Sequence, residues 1–287
     1  MSERKRILTD ICDNPALLDA LLHDGAQTPE PWRITAYWAT YHRRMVEELR
    51  RSGGLARLRR NYRLLKGYAH GGVPEPTLPS NLAKRLAFRL IERAPGVSRV
   101  IAEYRRLLRA QHGTLLAQEK RLAAHMLDAV AERYPTLRLP DTTAGDGADL
   151  MRWRDQDVAA AFVVYLVRAA DFYAAVPAGH VRSLMEVGPG LGFSTLAHWS
   201  LNPDIRVIVN LDIPSTLYIS TQYLKATGAV DVVDYLDVRD WEQIVIKPGA
   251  ERTRVYQLPS WCLDRLDGKV DWLHGAFSFQ EMEPPPI

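Results

Sequence analysis

Apolar residues recur at three- and four-residue steps through most of the first 175 positions, which predicts helices with one buried face. The first stretch begins with Asn14 and Pro15, residue types that favour an N-cap and a first helical position. From Asp155 a similar apolar face runs from Val158 to Phe172 and predicts another helix. The other predicted helices cover residues 31–53, 55–66, a stretch that begins after Ser80, and 97–133, and a loop is predicted at 135–149.

The period of the pattern changes after Pro177, where short β-branched runs alternate with helical stretches. Such alternation predicts right-handed crossovers and a parallel sheet, hence an α/β fold class. We therefore divide the chain into a mainly helical region, 1–175, and a sheet-forming domain, 176–287. The four predicted strands are Ser183–Val187, Ile205–Leu211, Val255–Leu258 and Val270–Leu273.

Composition argues against a disordered protein, a secreted protein and a membrane-spanning protein. The 287 residues are 47% apolar and 25% charged, values of an ordinary folded protein, and no run reaches signal-peptide or membrane-helix length. Cys12 and Cys262 are too far apart to suggest a zinc site or a disulfide framework. These features predict a cytoplasmic protein without a membrane partner.

Basic residues are concentrated in the helical region. Between Arg43 and Arg133 there are twenty Lys or Arg against eight Asp or Glu, although the net charge of the whole chain is only +3. A surface for nucleic acid is one interpretation. Because the arginines recur at helical steps without clustered aromatic residues, we favour solvated helix faces and expect no nucleic-acid partner.

A glycine-rich turn carries the most informative chemistry. The segment Glu186–Phe193 reads EVGPGLGF and lies between a predicted strand and a predicted helix. Glycine lets the chain turn sharply and lets a ligand approach the backbone. The spacing is GxGxG rather than the GxGxxG of dinucleotide sites, because Phe193 stands where the third glycine would be. A carboxylate at Glu186 would repel a diphosphate and attract a cation, so the pattern favours S-adenosylmethionine (SAM) over NAD.

Asp212 supplies the second half of this signature. It ends the next predicted strand, twenty residues after Gly192, where an acidic side chain can accept hydrogen bonds from both hydroxyls of a ribose. Strand, glycine turn, helix, second strand and terminal aspartate in this order predict a nucleoside-binding site.

Three segments carry a family resemblance: EVGPGLG, NLDIPSTLYISTQYL and VDWLHGAFSFQEM. Together they resemble the bacterial sugar O-methyltransferases, which are SAM-dependent and have a Rossmann-like sheet. The resemblance implies methylation of a hydroxyl on a sugar or glycosylated metabolite. It implies cofactor contacts in the glycine turn and the Asp212 turn, and a row of residues at the active-site mouth. The implied cofactor contacts are Glu186, Gly188, Gly190, Gly192, Asp212 and Ile213, and the mouth residues are Ser278, Gln280 and Glu281.

The strand count departs from this family. Its sheet normally has seven strands, whereas about four are predicted here before the sequence ends at EMEPPPI. We therefore expect the Rossmann-like sheet to be incomplete at its C-terminal side, and the activity of this chain to be affected.

Methyl transfer to a hydroxyl calls for a general base. His274 and Glu281 follow the fourth predicted strand and are the two candidates. His274 could equally pack within the sheet, and Glu281 could bind sugar hydroxyls instead. Trp261 and Leu258 either flank an adenine or belong to the core. The histidines show no metal-ligand spacing, so no metal site is predicted from them, and a magnesium ion held by carboxylates stays open as an alternative.

The helical region has three interpretations. It could form a lid that selects the acceptor, or mediate contact between subunits of a homo-oligomer, or bury its aromatic residues Trp32, Tyr37, Trp38 and Tyr41 in a core of its own, which we favour. Two rival functions also stay open. One is a nicotinamide-dependent oxidoreductase, and the other is a non-catalytic protein that binds nucleic acid or another partner through the arginine-rich helices.

Overall fold

A computed structural model of the chain describes residues 11–52, 55, 58–61, 64, 97–176, 178–275 and 278. The fold class is α/β, as predicted. Its longer helices are α1 (Pro15–Ala26), α2 (Ala36–Ser52), α3 (Val97–Arg133), α4 (Ala160–Ala175), α5 (Phe193–Leu201) and α6 (Pro214–Thr227), followed by the single turn α7 (Tyr235–Val238). Short 3-10 helices cover Leu58–Arg60, Ala178–His180 and Ser260–Arg265.

The strands form one main sheet and two small ones. They are β1 (Leu150–Trp153), β2 (Gln156–Ala159), β3 (Ser183–Val187), β4 (Val207–Asp212), β5 (Asp231–Val233), β6 (Ile244–Val245), β7 (Arg254–Pro259), β8 (Leu266–Asp267) and β9 (Trp272–His274). The main sheet has the order β5-β7-β4-β3-β9, and every pairing in it is parallel. It contains the four predicted strands and one more, β5.

The position of β3 in the strand order is typical of a ligand-binding strand. The chain moves from β3 to β4 on one side and later returns to β9 on the other, so β3 lies where the direction of the order reverses. In open parallel sheets, ligands bind beyond the carboxyl ends of the strands at such a reversal. The glycine-rich turn begins directly after the carboxyl end of β3.

One predicted helix begins later than expected. The apolar pattern from Asp155 predicted a continuous helix, but β1 and β2 form an antiparallel hairpin before α4 starts at Ala160. The prediction was wrong because Val158 lies four residues before Phe162 and so fits the helical spacing, although it belongs to a strand. A turn at Arg154, with φ +49°, reverses the chain and pairs Leu150 with Ala159.

Helices from the N-terminal region pack directly against those of the sheet region. α1 and α2 lie on α6, while α3 packs on α4 and α4 on α5, so one apolar core continues across the predicted boundary at 175/176. The aromatic residues of α2 do not form a buried core of their own, since Tyr37 is 49% exposed and its ring lies 5.3 Å from Trp38 at the surface. In the described part of the chain, no helix is both long and apolar enough to cross a membrane.

Candidate functional site

The glycine turn has the backbone that its sequence predicts. Gly188, Gly190 and Gly192 have φ values of +72°, +61° and +97°, in the left-handed region that side chains disfavour. The Gly188 amide donates to the Leu211 carbonyl at 2.8 Å, which holds the start of the turn against β4. Gly192 is the N-cap of α5, so the free amides at the start of that helix face this turn.

Asp212 lies across this turn, at the carboxyl end of β4. Its Oδ1 accepts from the Ile213 amide at 2.7 Å, and the Gly190 amide also donates to the carboxyl group. Its Oδ2 is shielded from solvent and has no hydrogen-bond partner in the described part of the chain. Burial, reinforced by the negative charge of Glu186, raises the pKa of Asp212 to about 8 despite these amides. One oxygen is therefore held by the protein and the other is left for a donor that the described residues do not supply.

Glu186 is fully buried near the end of β3. Its Oε2 accepts from the Thr195 hydroxyl at 3.3 Å, and that hydroxyl accepts in turn from the Asn210 amide at 2.9 Å. Burial would raise the pKa of Glu186, but the close approach and charge of His274 hold it below its usual value. The carboxylate is thus ionised and oriented by neighbouring side chains.

His274 lies opposite Glu186 on the adjacent strand β9. The two residues are partners in the parallel register, and His274 Nδ1 is 3.5 Å from Glu186 Oε1. The His274 side chain keeps 24% of its surface exposed, whereas Glu186 is completely enclosed. A buried carboxylate against one ring nitrogen of a partly exposed histidine can orient the ring and leave the other nitrogen for a substrate.

His198 completes this cluster and was not among the predicted site residues. It lies on α5, its ring centre is 5.0 Å from that of His274, and its Nδ1 is 3.1 Å from the Tyr173 hydroxyl. Burial lowers the pKa of His198 to about 4, although the charge of Glu186 opposes this shift, so the ring is neutral at neutral pH. The sequence could have pointed to His198, because it lies on the apolar face of the helix after the glycine turn. The sequence does not show, however, which strand this helix face packs against.

Ser278 reaches the glycine turn from beyond β9. Its hydroxyl lies 3.4 Å from the Gly188 carbonyl, and a Cβ added at Gly188 would come within 1.9 Å of the Ser278 Oγ. Gly188 is therefore required by a close approach as well as by its φ. The other predicted mouth residues, Gln280 and Glu281, lie outside the described residues.

The two residues considered for an adenine pocket have different surroundings. Leu258 is fully buried in the core, whereas Trp261 lies over Gly25 of α1 and donates from Nε1 to the Tyr235 hydroxyl at 3.2 Å. An adenine contact at Trp261 stays a prediction. Among the described residues, no group of three or more His, Cys, Asp or Glu side chains is arranged to hold a metal ion.

We compared the chain with models of protein families, with curated proteins and with solved structures, and none of them matches. The case for a function therefore depends on the geometry of the glycine turn, Asp212 and the Glu186–His274 pair. The fold is established here as α/β with a parallel five-stranded sheet.

Proposed function

We propose that the chain binds SAM at the glycine turn and catalyses methyl transfer to a hydroxyl group of a sugar or glycosylated metabolite. The observation that carries the proposal is the Oδ2 of Asp212, which is buried beside three left-handed glycines and has no partner among the residues that the structure describes. An unpaired buried acceptor costs about 1–3 kcal/mol. The two hydroxyls of a ribose are donors suited to removing that cost. As part of this proposal, we assign the parallel five-stranded sheet to the Rossmann-like folds.

The residues around the turn suit a cationic nucleoside better than a diphosphate. Glu186 is ionised within the strand that leads into the turn, and it would repel a diphosphate while attracting a sulfonium. Phe193, at the position of the third dinucleotide glycine, is buried and packs edge-on against Phe162 and Tyr223. In a dinucleotide site, a glycine at this position lets the helix pack closely on the strand. The bulky side chain of Phe193 prevents such a close approach.

SAM, when bound, supplies an electrophilic methyl group, which passes to the acceptor oxygen as the bond from sulfur breaks. In the proposal, His274 accepts the proton from the acceptor hydroxyl, and Glu186 orients its ring and stabilises the positive charge it gains. Ser278 would then contact the acceptor or the cofactor beside Gly188. The sugar class of the acceptor depends on the sequence resemblance alone, as do the roles of Gln280 and Glu281.

Calorimetry with SAM, S-adenosylhomocysteine and NAD tests the cofactor. We expect the first two to bind with dissociation constants of about 100 μM or tighter and NAD not to bind. Binding of NAD without SAM would instead favour the oxidoreductase. Salt-dependent RNA or DNA binding without SAM would favour the non-catalytic alternative.

A methyl-transfer screen against sugar nucleotides and glycosides tests the acceptor, and His274→Gln tests the base. We expect the variant to lower kcat by about 10²–10⁴-fold while SAM affinity changes little. His180→Gln is the matched control, since His180 is exposed in a 3-10 helix before β3. Equal rates for the His274 variant and the parent protein would remove His274 from the mechanism.

A further inference from the structure

A cavity lies at the edge of the sheet opposite the glycine turn, where β4 and β7 begin. Its volume is about 370 Å³, within the range of sites for small molecules. Arg138, Trp199, Arg206 and Arg252 line it, and none of the residues around the glycine turn does so. A ligand held in this cavity would therefore occupy a different place from SAM at the proposed site.

The cavity carries an excess of positive charge. Three arginines line it and Glu251 is its only acidic lining residue. None of these arginines forms an ion pair with a described residue. Arg252 also lines an adjoining cavity, where the other two cations are paired, Lys225 with Asp234 and Arg254 with Asp231.

Arg138 is held in place without being neutralised. Its guanidinium donates to the carbonyls of Trp199 at 2.5 Å and Asn202 at 3.3 Å, and it stacks 4.4 Å over the Trp199 ring. Its Nε is buried and has no partner among the described residues. Carbonyl oxygens fix the position of a guanidinium but leave its full charge available, and the free N–H is one an anion could accept from.

The carbonyl ends of α5 and α6 reach this edge and explain part of the arrangement. Arg138 donates to the end of α5, and Arg252 donates to the Gly228 carbonyl after α6 at 3.1 Å. Such contacts favour arginine at a helix C-terminus. They do not explain Arg206, whose exposed side chain has no hydrogen bond or ion pair to a described residue, and whose charge lies near enough to Arg138 to repel it.

We propose that this cavity binds a phosphate group of a small phosphorylated molecule, with Arg138, Arg206 and Arg252 as the ligands of the phosphate oxygens. Planar guanidinium groups bind phosphate through paired hydrogen bonds. An anion between Arg138 and Arg206 would also remove the repulsion between them. A cavity of this volume holds a compact molecule rather than an extended polymer.

Calorimetric titration with orthophosphate and with pyrophosphate at low ionic strength tests this site. We expect pyrophosphate to bind with a dissociation constant of about 1 mM or tighter and Arg206→Gln to weaken it about tenfold. Arg206 is exposed and its side chain has no hydrogen bond or ion pair to a described residue, so this variant should fold normally. The matched control is Arg121→Gln, at an exposed position on α3, which should stay within about twofold of the parent.

Two further arms locate the site and define its ligand. Asp212→Asn should leave pyrophosphate affinity unchanged, because Asp212 lies at the other edge of the sheet. The proposal is overturned if pyrophosphate and orthophosphate fail to bind at about 10 mM, or if the Arg206 and Arg121 variants bind equally. Tighter binding of a short RNA, with the same dependence on Arg206, would overturn the small-molecule assignment.

Discussion

Replacing Asp212 by asparagine changes one group whose protonation should control ligand binding. With a pKa of about 8, this carboxyl is mostly protonated at neutral pH in the free protein. A ribose whose two hydroxyls donate hydrogen bonds to Asp212 needs the ionised carboxylate. Binding must therefore displace the proton of the carboxyl group. Affinity for SAM should therefore rise with pH until Asp212 is fully ionised.

This pKa sets the size of the effect. A group with a pKa of about 8 is about 3% ionised at pH 6.5 and about three-quarters ionised at pH 8.5. The affinity of the parent protein should therefore rise about 25-fold over this range, because only the ionised fraction binds. Asparagine carries no such proton and offers one acceptor oxygen, so the variant should bind about 10–100-fold more weakly at pH 8.5.

Calorimetry with S-adenosylhomocysteine at pH 6.5, 7.5 and 8.5, repeated in buffers with different ionisation enthalpies, measures both affinity and proton release. The Asp212→Asn variant controls for titration of the ligand's own amine, and Asp204→Asn controls for loss of an exposed carboxylate at the opposite edge. An affinity that varies less than threefold with pH in the parent protein, with equal binding by the Asp212 variant, would refute the reasoning.

Three further predictions concern stability and are measured by urea or thermal unfolding. The folded pKa of Asp212 lies above its ordinary 3.8, so its contribution to stability is lost as pH rises from about 4 through 8, and Asp212→Asn should stabilise the protein at pH 9. We expect a gain of about 1–2 kcal/mol, well below the ceiling that the full shift implies, because the Oδ2 is shielded from solvent while Asp212 as a whole is only half-buried. No gain at pH 9 would contradict this burial. Gly188→Ala should lose about 1–3 kcal/mol, from its φ of +72° and the contact with Ser278, whereas Gly113→Ala, in open space on α3, should gain about 0.5–1 kcal/mol. Equal effects would exclude the close approach at Gly188. Arg59 and Asp149 form an ion pair in which both side chains are fully buried. Arg59→Met should lower the free energy of unfolding by about 3–5 kcal/mol because it leaves the Asp149 carboxylate buried without its cation, and adding Asp149→Asn should recover part of that loss. A cost below about 1 kcal/mol would show that this pair is solvated.

The parts of the fold that the sequence predicted are those marked by local signals. Asn14 caps α1 through its side chain, and the glycines and Asp212 mark the ends of β3 and β4. β5 was missed because its three residues make too short a run to show a period. The hairpin before α4 was missed because its strand and the helix share one apolar spacing.

The site was predictable only as far as neighbouring positions define it. The turn and Asp212 follow from local spacing, whereas the contact between Glu186 and His274 depends on the register between β3 and β9, which are far apart in the chain. The orientation of His198 toward that pair depends on how α5 packs on α4 and the sheet. Such long-range packing leaves no periodic trace in the sequence.

A crystal structure of the protein with S-adenosylhomocysteine would show whether Asp212 and the glycine turn hold the cofactor. We predict that both ribose hydroxyls lie about 3 Å from Asp212, with the Oδ2 as an acceptor, and that the ligand follows the backbone of the Gly188–Gly192 turn. An empty turn at saturating ligand, or a ligand bound elsewhere with the Asp212 Oδ2 still unpaired, would contradict it.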